Sequence, residues 1–326
     1  MPGLRIATFN LESLDDRPNP IPLAERIATL RPQILRLDAD ILCLQEVNAQ
    51  HVPGGHGRSL AALDALLAGT PYADFARAAT QSSGGAYPAD RHNQVILSRF
   101  PIAEQRQLWH TLLPPLRYAP HTALPPAERP AEIRFDRPIL YARIAAGDAP
   151  LHIVNVHFKA PAAAAIAGQK QSASTWRTMA GWAEGFFLAS LKRAGQALET
   201  RLLLEQLFDA DPQARILVCG DFNAETAEIP VRIVLGAAED TGNPALAGRA
   251  MAVLDDALPP DRRFSVIHAG RRVMLDHILA SAALARAPAA LQAHNDGLAD
   301  EALGLFAGGR MTGSFHAPVV AEIGAG

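Results

Sequence analysis

Six segments of this chain carry side chains able to do chemistry at or near the ends of apolar runs. The most informative is Ile216-Leu-Val-Cys-Gly-Asp-Phe-Asn-Ala224, an apolar run that stops at Gly220 and presents Asp221 and Asn223. Two residues apart, they share one face if the strand continues. A carboxylate beside a carboxamide suits the handling of water and a phosphate oxygen. It suits core packing poorly, because burying such groups without partners is costly. The pattern recurs: Ile6-Ala-Thr-Phe-Asn ends at Asn10, Ile41-Leu-Cys-Leu-Gln-Glu at Glu46, and Ile153-Val-Asn-Val-His at His157, with Asn155 on the same face. Met274-Leu-Asp-His-Ile carries Asp276, and Gly313-Ser-Phe-His-Ala-Pro carries His316. Packing alone does not explain this distribution; convergence on one acidic, imidazole-bearing pocket does.

Those side chains need strands to position them. Hydrophobic periodicity predicts strands at Leu4–Leu11, Asp40–Gln45, Tyr72–Ala78, Gln94–Ser98, Ile139–Ile144, Leu151–Phe158, Ile216–Cys219, Arg263–Ile267, Met274–Ala280, Ala289–His294 and Pro318–Ile323. Helices are expected at Leu23–Leu37, Ser59–Leu67, Pro230–Leu235 and over a long region from about 172 to 208. Strands interleaved with helices point to α/β layers. Two long loops, Gln81–His92 and Pro114–Arg137, read as functional rims or flexible segments. Without a repeat or an interdomain linker, residues 1–326 are expected to form a single domain.

Composition narrows the partners. Apolar residues at 49% and charged residues at 19% describe a globular chain, and a net charge of −3 gives no global attraction to nucleic acid or anionic membrane. Duplex binding would need a local basic patch, and pairs such as Lys192-Arg193 read as solvated surface. Cys43 and Cys219 sit in apolar runs and read as buried free thiols without metal-ligand spacing. Neither a signal-peptide pattern nor a membrane-spanning run is visible, so a cytoplasmic protein without a predicted protein partner is expected. Trp176, Trp182, Phe186 and Phe187 open the long helical region; an outer helix packed on a sheet is the ordinary reading, a cleft wall or dimer contact the other.

The ordered set Leu-Gln-Glu-Val, Val-Asn-Val-His, Gly-Asp-Phe-Asn and Leu-Asp-His-Ile-Leu-Ala resembles the endonuclease/exonuclease/phosphatase superfamily over essentially the whole chain, Leu4 to Ile323. The resemblance implies a four-layer α/β sandwich, with two mixed β-sheets face to face, helices outside and the site at one edge. It implies a divalent-metal-dependent phosphoesterase using Mg²⁺ or Mn²⁺, with Glu46 and Asn10 on the metal. Asp221 and Asn223 would activate water and touch phosphate, and Asp276 would fix the tautomer of His316. His157 would act from the opposite side with Asn155 orienting it, and His277 reads as structural. Which of Asp221 and His316 takes the proton stays open. Phosphodiester cleavage on a nucleic acid, nucleotide or small phosphodiester is favoured over a phosphomonoesterase or a lipid or small-molecule phosphoesterase.

One departure stands out. The family's last motif usually reads Ser-Asp-His, and here it is Ser314-Phe315-His316. The missing carboxylate belongs to the metal side, so weaker or altered metal binding is expected. Glu12, Asp255 and Asp256 are candidate substitutes. A catalytically weakened binding protein on the same fold is the rival reading.

Overall fold

The computed structural model describes residues 3–17, 21–285, 290–302 and 312–324. Twelve strands build two six-stranded mixed sheets. They are β1 (Leu4–Leu14), β2 (Ile41–Val47), β3 (Ala76–Ala79), β4 (Asn93–Ser98), β5 (Ile102–Leu108), β6 (Ile139–Ile144), β7 (Leu151–His157), β8 (Arg215–Asp221), β9 (Met251–Val253), β10 (Asp276–Ser281), β11 (Ala290–Ala293) and β12 (Val319–Ile323). The first sheet runs in the order β11-β12-β1-β2-β4-β3, and the second β9-β10-β8-β7-β6-β5. Each sheet holds one parallel pair, β1 with β2 and β7 with β8, flanked by antiparallel neighbours.

The two-residue period of these strands sorts their side chains into layers. Ile6, Ile41, Cys43 and Ile96 of the first sheet meet Leu140, Ile153, Leu217, Cys219 and Ile278 of the second, all buried in one inter-sheet core. The alternate residues Ala7, Phe9, Leu42 and Leu44 pack outward on α1 (Leu23–Leu37) and α2 (Ala61–Leu67), through Leu30, Ile34, Leu63 and Leu66. On the far side, Val154, Val156, Ile216 and Val218 pack on α3 (Met179–Ala210) and α4 (Ile229–Leu235), through Leu203, Leu204, Phe208 and Val231. The result is the expected order of helix, sheet, sheet and helix.

Differences from the sequence reading have local causes. α3 starts at Met179, not near 172, because the Thr178 hydroxyl accepts from Gly181 N–H at 2.9 Å and caps it. The ordinary role holds for its second half, while Trp182 and Phe186 stack on each other at the surface. Residues 71–74 form a 3₁₀ turn ahead of β3, and the strand expected over Arg263–Ile267 is confined to Val266–His268. β5 escaped notice because Glu104, Gln105, Arg106 and Gln107 break its alternation. The start of the run expected from Ala289 lies outside the described residues; β11 begins at Ala290.

A polar network crosses the inter-sheet core near one end of the strands. Gln45 donates to Thr8 at 3.0 Å and to Asn155 Oδ1 at 2.8 Å, and Asn155 Nδ2 donates to the carbonyls of Leu44 and Val95, each at 3.0 Å. This network ties the sheets together just beneath the edge where the expected site residues lie. Asn155→Ala strands two buried carbonyls and the Gln45 amide; it is expected to lower the free energy of unfolding by about 2 kcal/mol or more, read by urea denaturation.

Candidate active site

The strand directions bring the expected residues to one edge. β1 and β2 are parallel, as are β7 and β8, so Asn10, Glu46, His157 and Asp221 all lie at carboxyl-terminal ends. β10 runs the other way with Asp276 at its start, directly paired with Asp221, which is itself paired with His157. β12 is antiparallel to β1, so the turn before it lifts His316 onto the same edge. Asp221, Asp276 and His157 are almost completely buried.

Local irregularities aim the groups. At Gly220 a Cβ would stand 2.0 Å from the Val156 carbonyl, and its φ of 142° is one that other residues rarely adopt, so only glycine fits before Asp221. Both β1 and β2 change register near the edge, and Glu12, Ser13, Glu46 and Asn223 all have φ near +50° to +60°. The bulge in β2 turns Glu46 toward the site next to Gln45, which strict alternation would forbid. Strain of this kind costs on the order of 1–3 kcal/mol per residue and gathers at functional sites.

Asp221 is the hub. Its Oδ1 accepts from Asn223 N–H at 2.8 Å, and its Oδ2 accepts from Asn10 Nδ2 and Asn223 Nδ2, both at 3.1 Å. The same oxygen lies 3.5 Å from His157 Nε2 and 4.0 Å from His316 Nε2. His316 Nδ1 faces Asp276 Oδ2 at 2.8 Å, and Ser265 Oγ accepts from the Leu275 and Asp276 amides at 3.0 Å to fix that strand start. Burial, opposed by His316 and reinforced by Asp276, raises the Asp221 carboxyl to about 7. Burial works against a charge on His316, but Asp276 and Asp221 outweigh it and hold its pKa well above the ordinary value. His157, desolvated and beside Arg137, is pushed well below and stays neutral.

The opposite wall is built around Glu46. Its Oε2 accepts from Ser13 N–H at 3.0 Å and Ser13 Oγ at 3.1 Å, with His92 Nδ1 at 3.5 Å; its Oε1 faces Asn10 Nδ2 at 3.3 Å and His157 Nε2 at 3.6 Å. Against the upward push of burial, His92, His157 and Arg137 keep Glu46 well below the usual range. Glu12 Oε2 accepts from the Phe315 N–H at 2.7 Å, so a carboxylate does stand at residue 315, supplied by β1. The Phe315 ring is itself buried. Asp255 is elsewhere, locked to His277, and Asp256 pairs with Arg263 at 3.0 Å.

Two expected roles differ in this geometry. Asn10 Oδ1 accepts from Glu12 N–H at 2.9 Å, which turns its Nδ2 to the carboxylates; in this geometry Asn10 bridges Glu46 and Asp221 as a donor. Asn155 commits its amide to Gln45 and two carbonyls, and its bonds do not reach His157. Arg137 approaches that imidazole instead, its Nη1 2.7 and 2.9 Å from the two ring nitrogens. Arg137 and His92 were not anticipated. Each lies just ahead of or at the start of a strand antiparallel to its neighbour, β6 and β4, so the strand starts carried the missing signal.

Buried cations support these turns from behind. Arg26 of α1 donates to the carbonyls of Leu11 (2.6 Å), Glu12 (2.9 Å), Ser13 (3.3 Å) and Gly313 (3.0 Å), tying the β1 bulge to the turn that carries His316. His277 faces Asp255 and the Ala224 carbonyl at 2.8 Å, and although burial opposes a charge there, these partners raise its pKa. It anchors the turn that follows Asp221. The rim loop bearing Arg137 is fastened to α3 by Glu199, which accepts from the Leu112 amide at 2.8 Å, and by Glu184, which accepts from Thr122 and from Tyr118 Oη at 2.7 Å.

The donor set fits a hard divalent cation. Asp221, Asp276 and His316 bring ligand atoms within 4.8 Å of one another, a grouping able to hold a metal ion. Because Asp276 already faces His316, and both flanking carboxylates favour a proton on that imidazole, the carboxylate oxygens of Glu46 and Glu12 suit the ion better.

Fold and site together define a metal-handling phosphoester hydrolase class. The sequence matches the Endonuclease/Exonuclease/phosphatase family over residues 7–298, and the chain belongs to that family. A comparison with curated proteins finds no match. Among solved structures, it is similar to truncated Caenorhabditis elegans TDP2 at 13% identity and a TM-score of 0.56, covering 99% of this chain and 97% of that one. It is similar to an AP endonuclease from Archaeoglobus fulgidus at 16% and 0.53, covering 99% and 100%. A third likeness is the 3′ phosphatase NExo from Neisseria, at 17% and 0.51 with the same coverage. At these identities the likenesses show the fold.

Two outcomes are expected. Asp221 keeps its proton in the folded chain up to about 7 but loses it near 4 when unfolded, so its contribution to stability fades as pH rises through that window. Metal-free Asp221→Asn should therefore gain stability relative to wild type between pH 5 and 8 in paired thermal melts. Arg26→Met leaves four carbonyls without their donor and should cost about 3 kcal/mol, measured by chemical denaturation.

Proposed function

We propose that the protein is a divalent-metal-dependent phosphodiesterase that hydrolyses a P–O bond in nucleic acid by direct attack of water. The observation that carries this reading is the gathering at one sheet edge of the row His157–Asp221–Asp276, with His316 within 4.0 Å of Asp221 and Glu46 within 3.6 Å of His157. D. rerio TDP2 is solved with a single strand DNA product and NExo with a product DNA hairpin, which favours nucleic acid as the substrate class.

Glu46, with Glu12 beside it, would hold Mg²⁺ or Mn²⁺. The bound ion would supply Lewis acidity to a phosphoryl oxygen and the leaving group. Asp221, with a carboxyl near 7, is matched to taking a proton from water at neutral pH, and Asn223 and Asn10 fix its orientation. His316, held protonated by Asp276, is suited to stabilising charge on the phosphoryl group and not to acting as base. Arg137 approaches from the rim and donates toward the phosphate together with His157. This division assigns the proton to Asp221 because the imidazole already has one.

The test is initial-rate hydrolysis of bis(p-nitrophenyl) phosphate and p-nitrophenyl phosphate with Mg²⁺ or Mn²⁺ and with EDTA. Metal-dependent turnover that prefers the diester, and falls by about 10²-fold or more in Asp221→Ala and in His316→Ala, is the expected result. A preference for the monoester would make the protein a phosphatase. Wild-type rates no higher than those of Asp221→Ala would overturn the enzymatic reading.

A further inference from the structure

A cavity of about 490 Å³ opens on the His92 side of the rim, and the chemistry above does not use it. Two segments clasp to form it. The ladder of Gln50–His51 with Arg58–Ser59 closes a hairpin, and Tyr87 of the rim loop Gln81–His92 lies across its tip. A Cβ on Gly57 would stand 2.5 Å from the Tyr87 ring, so the glycine is what lets the two segments meet. His51, His56, Arg58, Ser82, Tyr87 and Asp90 line the space, and Tyr87 is 47% exposed. Flat rings from opposite walls, with hydrogen-bonding groups between them, suit a planar polar ligand.

Charge and position narrow the ligand. Asp90 is ringed by Arg58 at 2.6 Å, Arg17 at 3.1 Å and Arg91 at 3.8 Å. Three guanidiniums against Asp90 and the neighbouring Asp15 leave a positive edge on a chain whose net charge is −3. The cavity is also stitched to the catalytic edge. Ala49 N–H donates to the Asp90 carbonyl at 3.1 Å, Arg58 donates to the Ala49 carbonyl at 2.9 Å, and His92, two residues past Asp90, lies 3.5 Å from Glu46. Only Arg91 separates Asp90, on the cavity wall, from His92, beside Glu46, so cavity and catalytic edge are neighbours along the chain as well as through these bonds.

We propose that this cavity is a nucleobase subsite, taking an unpaired base of the nucleotide joined to the phosphate at the catalytic edge. The inference rests on the phosphoesterase reading and adds that the substrate is single-stranded, since a paired base could not enter between the two segments. Tyr87 provides the stacking face and the arginines meet the flanking phosphates, the combination that holds single strands elsewhere.

The experiment is a binding comparison by fluorescence anisotropy in the Asp221→Asn background with Mg²⁺, where turnover does not interfere. A short single-stranded thymidine oligonucleotide is set against an abasic oligonucleotide with the same number of phosphates. The base-bearing strand should bind about tenfold more tightly, and adding Tyr87→Ala should bring the two within about twofold. Equal affinities before that change, or equal weakening of both strands after it, would overturn the subsite. Because the readout is affinity, absence of hydrolysis in the wild type would sink the enzymatic reading without imitating either result.

Discussion

The burial of Asp221 beside Asp276, on directly paired residues of adjacent strands, is the constraint from which most of the site follows. Two desolvated carboxylates at that spacing cannot both ionise without compensation. One solution is a proton on His316, which then serves both acids at once. Another is the amide cradle of Asn10 and Asn223 around Asp221. Every element near the edge is bent, bulged or capped to deliver one of these groups.

A second layer of interactions holds the delivery in place. Arg26, His277, Glu199 and Glu184 reach no reacting atom, yet each fixes a turn or loop that does. The chain thus places charge at two depths. The inner set sets proton affinities around Asp221, and the outer set converts side-chain charge into fixed backbone geometry. This explains how a molecule that is half apolar tolerates so many buried ionic groups.

Much of this was legible in the sequence because the period of two is rigid. Once Ile153 and Leu217 face the core, His157 and Asp221 must face the same way, and the apolar runs gave the layer order as well. What was hidden depended on direction and detour. Arg137 and His92 stand near strand beginnings, which matter only when the neighbour runs antiparallel. Glu46 points inward through a bulge, and Asn10 shows its nitrogen because a backbone amide two residues on claims its oxygen. Glu12 as the carboxylate at residue 315 needed knowledge of which loop lies against which strand. The positive rim around Asp90 draws on residues from three separate segments, and no run of basic residues announces it.

The guanidinium of Arg26 joins carbonyls at positions 11–13 to one at position 313, and Ser314 and Phe315 add further bonds across the same seam. Closing that seam, like pairing β1 with β12, brings together parts of the chain some three hundred residues apart, at a large cost in loop-closure entropy. During synthesis, a chain emerging from the ribosome can pair β1 with β2 and pack α1 long before the last turn exists. His316 and its strap arrive only at the end. A site built this way is complete only once the two ends of the first sheet have met, so its geometry reports on the closure of the fold.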